Sequence, residues 1–326
     1  MYNIYTIDVE AHKGTDPVNR QIYGITKDNR VCGIDMIMDY LDKYSIKGVF
    51  FVDVAEAWDY GEQKIAGVLE HIKNRGHDVG VHIHPDHMAD KNRSFLWEYN
   101  RDEQYAIISK CTDLYNKVLG EPPLAFRAGK YGANSETLEI LSELGYKLDF
   151  SQFYGQKWCR IDLPTKMCAH ELENGLIEIP VTVFVSIQNK FYSRSDKIDC
   201  SQTFSEFKRV YETLDNDDER IIVLFAHSFS LIDWRLLPNS PRYSKNQMKR
   251  FESQLKYLQD QGDTIKNIGI QEAIELFCIE GNRSVNDEIP VMRGIVPYVA
   301  LADRLRIVLK SKIDNRVYRL LTGQNK

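Results

Sequence analysis

The alternation of short apolar runs with stretches of helical periodicity is the feature that most limits how this chain can fold. Runs rich in Val, Ile, Phe and Tyr recur up to LFAHS, and most are followed by a segment whose apolar residues repeat at helical spacing. Strands separated by such helices imply parallel βαβ units. Some runs, such as VFFV and IIVLF, are apolar throughout, which is typical of strands covered on both faces. The sequence therefore predicts an α/β fold, either a barrel or a doubly wound sheet.

Polar side chains gather at the carboxyl ends of these predicted strands, which is the edge where (β/α) barrels carry their active sites. They come from strands far apart in the sequence: Asp8, Glu10, His82, His84, Arg127, Asp149 and His227. We therefore expect them to form one site.

The overall charge indicates which ligands the protein can bind, and the N-terminal sequence indicates its location in the cell. A net charge of -5 and a pI near 6.0 provide no basic field for a polyphosphate, so we expect no nucleic-acid ligand. The opening MYNIYTIDVE lacks the pattern of a signal peptide, and no run is long enough to span a bilayer, so we expect a cytoplasmic protein. Six cysteines without CxxC spacing indicate ordinary buried thiols.

A change in character after residue 280 divides the chain. We expect residues 1–280 to form the barrel and residues 281–326, beginning GNRSVNDEIP, to form a linker and a basic amphipathic helical tail. The tail could bury its apolar stripe on the barrel, lie on an anionic membrane surface as a peripheral contact, or bind a partner protein. Its apolar stripe and flanking basic residues are Leu301, Leu305, Val308, Leu309 and Ile313, with Arg304, Arg306, Lys310 and Lys312.

Carboxylates and an imidazole alternate in TIDVEAH. On an extended strand Asp8, Glu10 and His12 point to one side, where they can meet a single point in space. The stretch VHIH places His82 and His84 in the same alternation. Carboxylate and imidazole together suit a divalent, zinc-like ion. The alternative is a plain polar turn, His84-Pro85-Asp86-His87, whose histidines bond to the backbone.

Five motifs carry a family resemblance: TIDVE, GHDVGVHIHPDH, FRAGKYG, LDFSQF and LFAHS. In order and spacing they resemble the metal-dependent polysaccharide deacetylase family, a group of carbohydrate esterases that remove N-acetyl or O-acetyl groups from chitin, peptidoglycan and capsular sugars. The resemblance covers roughly residues 1 to 275 and implies a distorted (β/α)7 barrel, here with a C-terminal helical extension. The DVE and HIHPDH motifs are closer to a variant branch of the family.

The resemblance implies roles for the first two motifs. Asp8 corresponds to the general base and Glu10 to a metal ligand, with Zn²⁺ as the expected cofactor. His82 corresponds to the first ligand histidine. The family has its second ligand histidine four residues later, where this chain has Asp86, so His84 and His87 compete to be the third ligand. His77, at the start of its strand, is expected to be structural.

The remaining motifs imply further catalytic residues. Arg127 corresponds to the arginine beside the base, against the alternative of a surface ion pair. Tyr131 corresponds to the aromatic residue whose backbone N–H helps to bind the oxyanion. His227 corresponds to the general acid, against the alternative of a core histidine. Asp149 would orient His227, or else cap the following turn.

The expected activity is metal-dependent removal of acetyl groups from a carbohydrate. The substrate would be an intracellular precursor in surface-glycan assembly, either a nucleotide sugar or a lipid-linked saccharide, and aromatic residues in SQFYGQKW and NKFYSR could stack on its sugar rings. Two alternatives stay open: a metal-dependent hydrolase of a non-sugar amide such as a ureide, and a degenerate barrel that binds glycan without turnover.

Overall fold

The computed structural model of the chain describes residues 1–12, 14–26, 29–188, 193–214, 220–232, 243–280 and 287–292, and four single positions beyond them. The described strands alternate with helices in the first half of the chain, and three strands of only two residues each follow between residues 148 and 178. The described strands are β1 (Tyr2–Val9), β2 (Gly48–Asp53), β3 (Asp78–Ile83), β4 (Ala125–Ala128), β5 (Leu148–Asp149), β6 (His170–Glu171), β7 (Ile177–Glu178), β8 (Val183–Gln188), β9 (Ser193–Lys197), β10 (Ile221–His227) and β11 (Lys266–Asn267).

The helices at Ile34–Lys43, Glu62–Asn74 and Ser135–Glu143 lie where the sequence periodicity predicts them. The described helices are α1 (Ile34–Lys43), α2 (Ala57–Tyr60), α3 (Glu62–Asn74), α4 (Arg101–Leu119), α5 (Ser135–Glu143), α6 (Phe204–Leu214), α7 (Lys245–Asp260) and α8 (Ile270–Glu280). The longest, α4, begins with a reciprocal capping box between Asn100 and Glu103 and ends at Gly120 in the left-handed conformation, so both of its boundaries follow from local side-chain chemistry.

One curved sheet organises the molecule. Its strand order is β10-β1-β2-β3-β4-β5-β7-β6, and every neighbouring pair is parallel except β6 with β7. The short β11 pairs in parallel with the first residues of β1. Parallel pairing brings the carboxyl ends of β1, β3, β4 and β10 to the same edge. The architecture is the distorted (β/α)7 barrel that the motifs imply.

The β8–β9 hairpin connects the two sides of the sheet. Phe225 N, on β10, donates to Ile198 O at 3.0 Å, and Cys200 N donates to Phe225 O at 3.1 Å. On the other side, Val181 N donates to Gln152 O at 2.9 Å, just beyond β5. The segments that flank the hairpin therefore bridge the interval between β5 and β10.

The sheet is buried on both faces, as its continuous apolar runs predict. On β2, Phe50 packs in the larger cluster between the sheet and the surrounding helices, whereas its neighbour Phe51 packs in a second cluster with Phe150. The second cluster also includes Phe277 of α8. Each strand thus contributes alternate side chains to two apolar layers.

The segment 287–292, within the predicted linker and tail, packs on the barrel. Asp287 accepts hydrogen bonds from the backbone N–H groups of Lys166, Met167 and Cys168, and Met292 is almost fully buried. Most of the predicted tail helix lies outside the described residues. The described positions Tyr298, Ala302, Leu305 and Leu309 are helical and exposed. No described helix is both long and apolar enough to cross a membrane.

Candidate active site

A buried ion pair between β1 and β4 occupies the carboxyl edge of the barrel. Arg127 Nη1 lies 2.7 Å from Asp8 Oδ1, and Arg127 Nη2 donates to Thr6 Oγ1 at 3.0 Å. The guanidinium is fully buried and lies over the ring of Phe51 at 4.5 Å. This geometry rules out the alternative of a surface ion pair for Arg127.

The ion pair keeps Asp8 ionised. Burial by itself would raise the pKa of the Asp8 carboxyl, but Arg127, with smaller contributions from His82 and His227, lowers it below its usual value. A carboxylate fixed in orientation and held ionised has the properties required of a general base.

Glu10, His82 and His84 form a group of ligand-type side chains beside this pair. Their ligand atoms lie within 4.8 Å of one another. Glu10 Oε2 is 2.7 Å from His84 Nε2 and 3.6 Å from His82 Nε2. The strand ends at Ile83, and His84 is still extended, so His82 and His84 keep the predicted alternation.

The hydrogen bonding of His82 favours metal ligation. Its Nδ1 donates to the backbone carbonyl of Arg127 at 2.8 Å, which leaves Nε2 with its lone pair directed toward Glu10 when the ring is neutral. A backbone carbonyl or carboxylate at the second ring nitrogen is the usual arrangement for histidines that bind metals. The three side chains therefore fit a divalent ion of the zinc type.

Charge is concentrated in this group. Burial would raise the pKa of Glu10, but His84 and His82 hold it well below its usual range. Burial would lower the pKa of His82, but Asp8 and Glu10 raise it to about 9. The protonated His82 supplies positive charge that a bound cation would otherwise provide, and such a cation would displace that proton.

His227 lies at the end of β10 on the open side of the group. Its Nε2 is 3.5 Å from Glu10 Oε1, its ring stacks on Phe229, and its side chain is 32% exposed. Burial lowers the pKa of His227 to about 4, so the imidazole is neutral at pH 7. The residue is thus neither a core histidine nor distant from the site.

Of the two roles predicted for Asp149, its contacts match the cap on the following turn. Its carboxylate accepts from Ser151 N and Ser151 Oγ, and a further hydrogen bond joins it to the buried Glu178. Ser151 Oγ in turn accepts from Ala128 N at 2.9 Å. The hydrogen bonds of Asp149 therefore support the backbone directly after Arg127. None of them reaches His227, so the geometry does not support the predicted orienting role.

Tyr131 lies in a tight turn that approaches the ligand group. Lys130 and Tyr131 both have positive φ, at 53° and 58°, a conformation that is costly for side-chain-bearing residues. Gly129 permits the close approach, since a Cβ there would lie 2.6 Å from Ile83 O and 2.7 Å from the ring of His84. The turn is therefore held against the strand end that carries His84.

Several other histidines are placed apart from this group. His87 belongs with Asp53 and Glu56 in a separate group of ligand-type side chains. His12 is exposed, because β1 ends at Val9 and the predicted alternation does not extend to it. His77 accepts from Gly48 N near the start of β3, in agreement with a structural role.

Lys197 is a residue near the site that the sequence did not indicate. It ends β9, and its Nζ donates to Tyr131 Oη at 3.2 Å. Burial lowers the pKa of Lys197 to about 8. No local pattern in SRSDKID distinguishes this lysine, since its position depends on the packing of the β8–β9 hairpin against β10.

The fold and the edge cluster define a barrel with a buried, ion-paired carboxylate and a carboxylate–imidazole group suited to a divalent ion. The polysaccharide deacetylase family model matches residues 16–148 of the chain. The matched segment is similar to a polysaccharide deacetylase domain, in agreement with the family that the motifs indicate. The match includes His82 and Arg127 but not Asp8, Glu10 or His227, which the motifs TIDVE and LFAHS and the geometry assign to the site.

Solved structures agree with this fold. A crystal structure described as a polysaccharide deacetylase from Mycobacterium smegmatis has a TM-score of 0.58 and 18% identity, covering 89% of this chain and 94% of that one. The PuuE allantoinase has a TM-score of 0.55 and 11% identity, covering 86% and 92%. These likenesses show the fold alone. A sequence comparison with curated proteins finds no significant match.

We expect that removing the guanidinium will leave Asp8 as an uncompensated buried charge. Arg127→Met should lower the free energy of unfolding by about 3–5 kcal/mol, measured by urea denaturation. Arg101→Met, which breaks an exposed pair with Glu143, should cost about 1 kcal/mol or less. Adding Asp8→Asn to Arg127→Met should recover part of the loss, and no recovery would contradict the assigned pairing.

Proposed function

We propose that the protein is a metal-dependent carbohydrate deacetylase that hydrolyses an N-acetyl or O-acetyl group. One observation carries the proposal: an ionised carboxylate, Asp8, held by a buried arginine, lies beside a three-residue group suited to a divalent ion. Hydrolysis of an amide or ester needs a base for water and a stabiliser for the oxyanion, and this edge of the barrel can provide both.

Each residue has a distinct part in this proposal. Glu10, His82 and His84 would hold the ion, which when bound would polarise the acetyl carbonyl and acidify a water molecule. Asp8 takes the proton of the attacking water, and Arg127 keeps it ionised and oriented. The backbone N–H of Tyr131 is the proposed second donor to the oxyanion.

His227 is the proposed proton donor to the leaving group. Because its pKa is lowered to about 4, it enters the reaction neutral and must take up a proton before it can deliver one. Its stacking on Phe229 fixes the ring, and its partial exposure leaves one edge open to substrate.

An aromatic stack beside the Tyr131 turn supports a sugar substrate. Phe95 stacks on Trp97 at 5.0 Å and on Trp158 at 5.2 Å, and Phe95 also contacts Gly132 at the end of that turn. Trp158 is 36% exposed, and an exposed aromatic side chain can contact the C–H groups of a sugar ring. Trp158 belongs to SQFYGQKW, whereas residues 189–192 of NKFYSR lie outside the described residues.

Three cations adjoin this stack and favour a phosphate-bearing sugar. Lys157 Nζ lies 3.8 Å from the centre of the Trp158 ring, the Arg160 guanidinium 3.3 Å from that of Trp97, and Lys130 Nζ 5.8 Å from that of Phe95. The narrower proposal is therefore a nucleotide sugar or a lipid-linked sugar phosphate, an intracellular precursor of a surface glycan.

The primary test follows metal content and acetate together. The purified protein should release acetate from an N-acetylated sugar, and Glu10→Gln and His82→Ala should each lose the ion at this site and the activity. Activity on a ureide without acetate release would favour the alternative hydrolase. Metal binding without turnover of either substrate would favour a glycan-binding barrel.

The Asp8→Asn variant tests whether the general base and the carboxylate ligand of the metal are different residues. We expect this protein to keep the ion while its kcat falls by about three orders of magnitude, as for a missing general base. Metal analysis and steady-state kinetics on one preparation check the result. If Asp8→Asn loses the ion and the activity together, the roles of Asp8 and Glu10 are reversed.

Lys157→Gln tests recognition of phosphate. For a nucleoside-diphosphate N-acetyl sugar, KM should rise by about fivefold, the effect of losing roughly 1 kcal/mol of exposed ionic interaction. For the uncharged N-acetyl sugar KM should not change. Lys110→Gln, an exposed lysine on α4, is the matched control. An equal effect on both substrates would contradict the narrower proposal.

A further inference from the structure

A second group of ligand-type side chains adjoins the candidate active site, and the proposed reaction uses none of them. Asp53 ends β2, Glu56 lies in the short helical turn that follows, and His87 ends the turn after His84. The ligand atoms of the three residues lie within 4.8 Å of one another. His87 Nε2 is 3.8 Å from Asp53 Oδ2.

Each carboxylate of this group leaves one oxygen unpaired. Asp53 Oδ1 accepts from Ala55 N at 3.1 Å and from His84 N at 3.3 Å, and Glu56 Oε1 accepts from Ala11 N. Asp53 Oδ2 and Glu56 Oε2 have no hydrogen-bond partner in the described part of the chain, although both side chains are fully buried. Buried acceptors without a donor are rare because removing them from water is costly.

His87 presents a third acceptor to these oxygens. Its Nδ1 lies 2.8 Å from Asp59 Oδ2, and Lys91 binds both oxygens of Asp59. A carboxylate at Nδ1 keeps the proton of a neutral imidazole on that nitrogen, so the lone pair of Nε2 faces Asp53. Histidines that bind metals commonly have this arrangement. Three lone-pair atoms therefore converge on one point that no described donor fills.

We propose that Asp53, Glu56 and His87 form a second divalent-cation site, separate from the group of Glu10, His82 and His84. One imidazole nitrogen and two carboxylate oxygens suit Zn²⁺ or Mn²⁺. The proposal rests on this geometry and does not depend on the reaction that the protein catalyses.

The cation at this second site has a structural role. Asp53 and Glu56 are fully buried and the side chain of His87 is 10% exposed, so little room is left for substrate. The cation would fix the Pro85–His87 turn to the end of β2. It would thereby support His84, whose N–H already donates to Asp53.

Metal stoichiometry tests the proposal. The full chain, stripped with a chelator and titrated with Zn²⁺ and separately with Mn²⁺ by calorimetry, should bind two ions. Glu56→Gln keeps an oxygen for Ala11 N and should bind one ion, as should Glu10→Gln, whereas the double variant should bind none. Glu70→Gln, an exposed change on α3, should bind two.

Two results would overturn the proposal. In the first, the unmodified chain binds a single ion, which is lost in Glu10→Gln and kept in Glu56→Gln. That result would mean that Asp53 and Glu56 share a proton instead of binding a cation. Retention of two ions by Glu56→Gln would place the second ion elsewhere. If Glu56→Gln loses a bound ion and Glu10→Gln loses none, the result would support the second site and contradict the proposed metal ligands of the active site.

Thermal unfolding gives an independent measurement, made in Glu10→Gln protein so that only the second site responds. Asp53→Asn keeps Oδ1 and adds an N–H that can donate to Glu56 Oε2. In the presence of a chelator, the Tm of the Glu10→Gln/Asp53→Asn protein should equal or exceed that of the Glu10→Gln protein. With Zn²⁺, the Glu10→Gln protein should have the higher Tm. An equal rise in Tm with Zn²⁺ for both proteins would contradict the proposal.

Discussion

The buried pair of Arg127 and Asp8 is the interaction on which the rest of the site depends. The guanidinium lies inside the barrel among aromatic rings, where an unpaired charge would be strongly destabilising. Its nitrogens donate to Asp8 and Thr6 of β1 and to Phe150 O beyond β5. Through its own backbone carbonyl the same residue fixes the ring of His82. One arginine therefore positions both the proposed base and a proposed ligand.

The histidines of HIHPDH serve two groups because the backbone changes conformation within the motif. His82 lies in β3 and His84 is still extended, so both side chains reach Glu10. The turn Pro85–His87 then redirects the chain, and His87 faces Asp53 and Asp59 instead. Asp53 Oδ1 accepts from His84 N, so the two groups share a boundary at the end of β2. A substitution in one group should therefore alter the positions of side chains in the other.

The turn that carries Tyr131 shows how the fold tolerates local strain near the site. Two successive residues with positive φ cost free energy, which the surrounding packing must offset. Tyr131 packs edge-on against Phe153 and accepts a hydrogen bond from Lys197, so two separate segments hold it. Both Gly129 and Gly132 allow backbone contacts that a Cβ would prevent. The turn can thus lie between the ligand group and the aromatic stack.

The sequence by itself determined the alternation of strands and helices in the first half, the family resemblance, and most of the residues at the carboxyl edge. These follow from local patterns: period-two and helical spacing place Asp8, His82, Arg127 and His227 at strand ends. The same rule also applies to Asp53, which ends β2 in VFFVD. Only the tertiary structure decided between His84 and His87 as neighbours of Glu10, since a turn of three residues sets their directions. It also decided the partners of Asp149 and the position of Lys197, because these depend on contacts between segments distant in the sequence, which no local pattern records.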